Sequence, residues 1–266
     1  MANVVKIDLD QIWNPIGVGI RRAYVFAGFG INAANDPKQV DYHLPGLMKL
    51  SFAPQSVGDD LLGEYKREFA NWILGNALRE VIESLEMCLE NVFQVCTLAA
   101  QSKGKSPSRK VARDFNRSGA SGQLKALASE FGLHSRHASF IESLNLLRNC
   151  LTHRRGTVAK RDCNDPTGQH LKVNYLRFQF EQQCASGENV VISPDTIEPL
   201  LFKESGYLNA RVVETEKSFP VGSLVLLRNP DIRDVLFTCW NAGIELRSEL
   251  IGYLKGQGIP VDEEAG

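Results

Sequence analysis

The chain has 266 residues, 43% hydrophobic and 23% charged, with a formal net charge of −1. Its length suits one large domain or two small ones around a sizeable core. The near-neutral charge excludes a global field directed at a polyanion, so any basic surface has to be local. No apolar run reaches the roughly 18 residues that a membrane-spanning helix needs, so no membrane partner is expected.

The opening MANVVKIDLDQIW carries acids where a secretory leader would be basic and then apolar. Six scattered cysteines form no C-x-x-C pair, and Cys88 and Cys96 fall in an apolar helical pattern. Both features fit buried thiols in a reducing cytoplasm. Cys163, His170 and Cys184 can be drawn as a partial zinc site, but their spacing matches no standard ligand pattern, so neither metal nor cofactor is expected.

Residues 1–60 are rich in Gly, Asn, Asp and Pro (NPIGVGI, GFGINAANDPKQ, LPGL, FAPQ). They predict an irregular lead-in, with a short helix at 21–29, packed on a main body that spans 61–266. From Leu61 to about Gln101, Leu62, Tyr65, Phe69, Trp72 and Ile73 begin a three-and-four apolar spacing that Val81 to Cys96 continues. This predicts one long amphipathic helix, or two joined near Gly75. Glu80, Glu83, Glu86 and Glu90 on its other side read as a solvated row. Residues 102–122 hold Lys103, Lys105, Arg109, Lys110, Arg113 and Arg117 against Asp114, a local net of +5 (6 − 1). Flanking serines and glycines predict a mobile connection, either a plain linker or a binder of phosphate.

Further helices are predicted at about 123–131 and 135–155. Phe140, Leu144, Leu147 and Leu151 form the buried stripe of the second, and Gly156 its stop after Arg154-Arg155. Alternation at Leu171, Val173 and Tyr175, with NVVIS, ARVVE and GSLVLL, then predicts a small antiparallel sheet within 168–228. Asn229-Pro230-Asp231 opens a last helix to about Leu254, with Asn229 as cap, burying Ile232, Val235, Leu236, Cys239, Trp240 and Leu250. The expected fold is mainly α, an antiparallel helical bundle with a small β-rich insertion before the last helix.

The stretch LNLLRNCLTHRRGTV groups polar chemistry at a helix end. Asn149 and His153 lie four residues apart and share a face, while Arg148 sits about 140° from His153. An amide beside an imidazole fixes its tautomer, and a guanidinium offers a fork for phosphate oxygens. Base and clamp together suit attack on a phosphodiester by its own 2′-hydroxyl.

Arg148-Asn149-Cys150-Leu151-Thr152-His153 resembles the Arg-(Asn/Asp/His)-x3-His signature of HEPN domains. The likeness extends over the helices at about 61–103, 123–155 and 231–254. It implies an all-helical, homodimeric, metal-independent endoribonuclease of the kind found in toxin–antitoxin, CRISPR and phage-defence systems. His153 would then be general base or general acid, Arg148 would bind the phosphate, and Asn149 would orient His153. Arg154, Arg155, Lys160 and the basic segment (Lys103, Lys105, Arg109, Lys110) would hold the RNA backbone; the slightly acidic total charge further suggests that a regulatory or antitoxin partner protein restrains activity. Two departures stand out: Arg154-Arg155 replace the apolar residues that often follow the histidine, and the sheet is foreign to the minimal family fold. Some members have lost catalysis, so the alternative is an inactive interaction or RNA-binding module.

Overall fold

The glycine-rich start of the chain is a helix. In the computed structural model, which describes residues 7–42, 56–192 and 205–261, α1 runs unbroken over Leu9–Asn35. This corrects the expected irregular lead-in; the LPGL and FAPQ stretches lie outside the described residues. Asp8 starts α1 by accepting the Asp10 N–H at 3.0 Å. Pro15 removes one helical donor, yet the helix continues through it, and its buried stripe is small: Gly19, Ala23, Ala27, Gly30 and Ala34 recur at three and four. A methyl group built on Gly19 would sit 2.0 Å from Ser84 Oγ, and one on Gly30 2.7 Å from Ile73. Those two contacts run α1 antiparallel to the next helix, backbone close to backbone.

That helix, α2, spans Asp59–Gln101 without a break at Gly75, which faces Leu151. Its second half forms the centre of the core: Leu78, Val81, Ile82, Leu85, Leu89 and Val92 are all fully buried. Cys88 and Cys96 are buried with them, as expected, and loss of water pushes both thiols up to about 12. The first half departs from the predicted buried face, because Phe69 and Trp72 are exposed.

The basic connection is partly helical. It contains α3 (Arg109–Asp114) and a 3-10 turn, anchored by Phe115, which stacks on Phe93 at 4.1 Å. There follow α4 (Gly119–Phe131), α5 (Ala138–Arg154) and the closing α6 (Asn229–Gly256). Arg228, not Asn229, takes the cap position of α6; the buried Asp231 carboxylate accepts the Arg228 N–H at 2.7 Å. Trp240, expected in the core, is 47% exposed.

Before α6 lies the antiparallel sheet, in the order β2-β1-β3: β1 His170–Cys184, β2 Asn189–Ile192 and β3 Gly206–Pro220. GSLVLL is not a strand; it contributes only a single bridge, Leu224 to Thr157. β1 pairs with β3 from His170↔Pro220 to Cys184↔Gly206, but with β2 only over its last residues. The uncovered edge of β1 is satisfied by side chains: Ser143 Oγ of α5 accepts Asn174 N–H at 3.0 Å, and Thr238 Oγ1 of α6 accepts Leu176 N–H at 2.8 Å. This explains two buried hydroxyls in an apolar setting. Asp234 of α6 accepts from Arg177 at 2.7 Å, and Lys217 of β3 lies 2.5 Å from Asp231. The near half of the ribbon is thus built into the bundle, whereas its far end carries exposed Tyr207, Leu208 and Val191.

Candidate active site

Helix α5 turns its apolar stripe, Phe140, Leu144 and Leu147, into the core, which leaves the signature residues around its last two turns. The helix stops one residue before the expected glycine. Arg155 itself is left-handed (φ 51°) and Gly156 follows at φ 83°. A side chain at Gly156 would press on Leu151 and Leu224, both 3.4 Å away, so the position both reverses the chain and lies against its neighbours.

Arg148 points into the groove between α5 and α2. Its Nη2 donates to Glu86 Oε1 at 2.6 Å. The same oxygen accepts the Ala120 N–H at the start of α4, at 3.1 Å. Asn145 belongs to this cluster: a methyl group on Gly119 would be 3.6 Å from both Asn145 Nδ2 and Glu86 Oε1. Two buried polar atoms here, Arg148 Nε and Asn145 Oδ1, have no hydrogen-bond partner. Glu86 is therefore not part of a solvated row, as its spacing suggested. It is the counter-ion of the signature arginine, held at a helix N-terminus where negative charge is favoured. Of the other acids in that row, Glu80 pairs with Arg22 at 2.6 Å and Glu83 with Arg79 at 3.6 Å.

His153 is exposed on the outer side of the same helix end, and Asn149 is half-buried. Among the described residues, no hydrogen bond or ion pair joins His153 to Asn149 or to Arg148. The expected orienting bond is not formed within one chain, and the base and the clamp stand on different sides of α5. The imidazole is free to exchange a proton with a ligand, whereas the guanidinium enters through the groove, with its side chain 17% exposed.

The expected RNA-binding residues divide. Arg155, Lys160, Lys103, Lys105, Arg109 and Lys110 are all exposed and available. Arg154 is not: its Nε donates to Asp162 Oδ2 at 2.6 Å and its Nη2 to the other carboxylate oxygen. Asp162 is buried and also accepts the Ala159 N–H at 2.9 Å. Arg154 thus fastens the chain after α5 back onto the helix, a structural role in place of the expected phosphate contact. Cys163, His170 and Cys184 do not converge either, since the whole of β1 parts the last two, roughly 46 Å of extended chain. The sequence offered one clue to Glu86: Arg148 has no acid three or four residues away on its own helix, so its partner had to come from another.

No family model, curated protein or solved structure matches this chain.

Proposed function

We propose that the chain is a metal-independent endoribonuclease of HEPN type, acting as a homodimer. The observation that carries this reading is an exposed His153 at the end of the helix that also carries Arg148, whose guanidinium is paired with Glu86 and whose side chain stays 17% exposed. His153 removes the proton from the attacking 2′-hydroxyl or delivers one to the leaving 5′-oxygen. The remaining guanidinium N–H groups of Arg148 hold the non-bridging oxygens as charge builds on the phosphorane. One imidazole cannot serve as base and acid at once, so a second copy supplies the other, as an isologous contact allows. Arg155, Lys160 and the basic segment around Lys103 hold the RNA backbone. A cytoplasmic toxin or phage-defence effector under control of a partner protein fits this activity.

The Glu86 ion pair favours a second reading, a non-catalytic RNA-binding or interaction module, because it occupies the arginine that chemistry would need. Incubating wild type and His153→Ala with mixed RNA in excess chelator separates the two. The nuclease reading expects cleavage by wild type, products ending in 2′,3′-cyclic phosphate, a block by a 2′-deoxy substitution at the cut site, and loss of 10²–10⁴-fold in rate, roughly, for the variant. Binding without cleavage selects the second reading, and activity lost in chelator but restored by magnesium overturns the mechanism.

A further inference from the structure

The facing sides of α2 and α5 that meet at Arg148 run on beyond it. On α2, Trp72, Asn76, Arg79, Glu83 and Glu86 recur at four, three, four and three, a single stripe. A second stripe on α5, Arg148, Thr152 and Arg155, at four and three, meets it through the Glu86–Arg148 pair and through the residues that share one cleft. Beyond the Glu86–Arg148 pair the two banks open into a cleft of about 700 Å³, lined by Phe69, Trp72, Asn76, Arg79, Thr152 and Arg155 among others. Trp72 is 62% exposed in it, and the Phe69 ring lies nearly parallel to the Trp72 ring, centroids 6.3 Å apart with 20° between planes. Fourteen residues part Trp72 from Glu86, about 21 Å of helix.

From this arrangement we infer that the cleft is a subsite for an unpaired base of single-stranded RNA, stacked on Trp72 and lying further along the same two helices from Arg148. The inference rests on the ribonucleic-acid reading above and adds the kind of strand and the residue that grips it. Two features select this occupant. An aromatic wall offers its face to any base regardless of sequence, and cations on both banks take the phosphates. The Arg155 side chain makes no ion pair or hydrogen bond among the described residues, and that of Arg79 has only the 3.6 Å approach of Glu83. A duplex keeps its bases stacked on one another and has none to offer this wall. Aromatic surface left in water on a concave face, with charge at its rim, is what a stacking site requires and what a core does not.

The test uses the full chain carrying His153→Ala, so that bound RNA stays whole, and short single-stranded RNAs that are intact or carry one abasic position. Trp72→Ala should weaken intact single strands by roughly 5–150-fold, the range spanned by loss of one stacked base. Trp72→Phe, which keeps a ring, should recover much of that affinity. An abasic position should cost affinity in the parent and nothing further in Trp72→Ala, a coupling that a merely structural role would not produce. Duplex RNA of the same length should bind both proteins equally. If Trp72→Ala binds single strands as the parent does while RNA is still cut by the His153-containing protein, the subsite is overturned and the nuclease reading stands. If the parent binds no RNA, both fall. If Trp72→Ala instead turns a dimer into a monomer in sedimentation, the cleft is covered by a second copy and the base subsite is overturned.

Discussion

Removing the Glu86 carboxylate would leave the Arg148 guanidinium, already short of a partner at Nε, facing Ala120 N–H with no acceptor between them. Both side chains are about four-fifths enclosed, so the stranded donors are only partly rescued by water. Glu86→Ala should lower stability by about 1–3 kcal/mol, and Glu86→Gln, which keeps a carbonyl acceptor, by less; urea denaturation measures both. The same pair of variants bears on function, since a freed Arg148 should bind RNA phosphate more tightly if Glu86 only occupies it. His137 makes a separate case. It is buried beside Phe140 with neither ring nitrogen bonded, and burial lowers its pKa from the ordinary 6.5, against the nearby charge of Glu245. The unfolded chain therefore takes up a proton that the folded one resists. Stability from this group is complete above about pH 6.5 and declines as pH falls through the window below it. His137→Leu should flatten the decline over that window, read as the difference between the two proteins' unfolding free energies across a pH series. An unchanged slope would show that the imidazole does not contribute.

At the scale of elements, the two glycine sets of α1 make opposite predictions. Gly19 has no room for a side chain, because a methyl group there would lie 2.0 Å from Ser84 Oγ and 2.3 Å from its Cβ. Gly19→Ala should push α1 off α2 and cost about 1–3 kcal/mol. Gly17 meets nothing within 4 Å, so Gly17→Ala should stabilise the helix by about 0.5–1 kcal/mol; thermal unfolding of the two variants checks the contrast. This is also where sequence reading fell short. Glycine and asparagine density suggested loop, since propensity favours loop there. The three-and-four recurrence of Gly19, Ala23, Ala27, Gly30 and Ala34 was present but carries little hydrophobic signal, because small residues make a helix interface by proximity and not by apolar bulk. The α2 core, the α5 stripe and the first residues of β1 were legible because Leu, Val, Ile and Phe fall at regular spacing. At the site, the polar spacing of the helix end matches an exposed His153, whereas Asn149 is half-buried and makes no bond to it. Arg154, however, looked like a free cation, since nothing local announces that Asp162 folds back onto it. Trp72 misled in the other direction: its spacing is that of the core, yet no element among the described residues covers it.

Considered whole, the molecule has a net charge of only −1, so attraction of RNA from a distance is weak and binding depends on where cations are concentrated. The largely enclosed arginines Arg148, Arg154 and Arg177 are engaged with Glu86, Asp162 and Asp234 and hold the elements together. Exposed cations with no ion pair among the described residues include Lys103, Lys105, Arg109 and Lys110, between α2 and α4, Arg155 in the cleft and Lys160 after α5. Such a division lets the bundle keep its ion pairs while a surface segment supplies affinity without touching the chemistry at His153. Single-stranded RNA releases roughly 0.7 counterion for each phosphate neutralised. Replacing Lys103, Lys105, Arg109 and Lys110 together by Gln should therefore reduce the slope of log affinity against log salt by up to about 3 (4 × 0.7), while the cleavage rate at saturating RNA stays unchanged. A salt series with the quadruple variant makes the measurement, and an unaltered slope would show that the segment is a linker, leaving Arg155 and Lys160 as the cations that meet the strand.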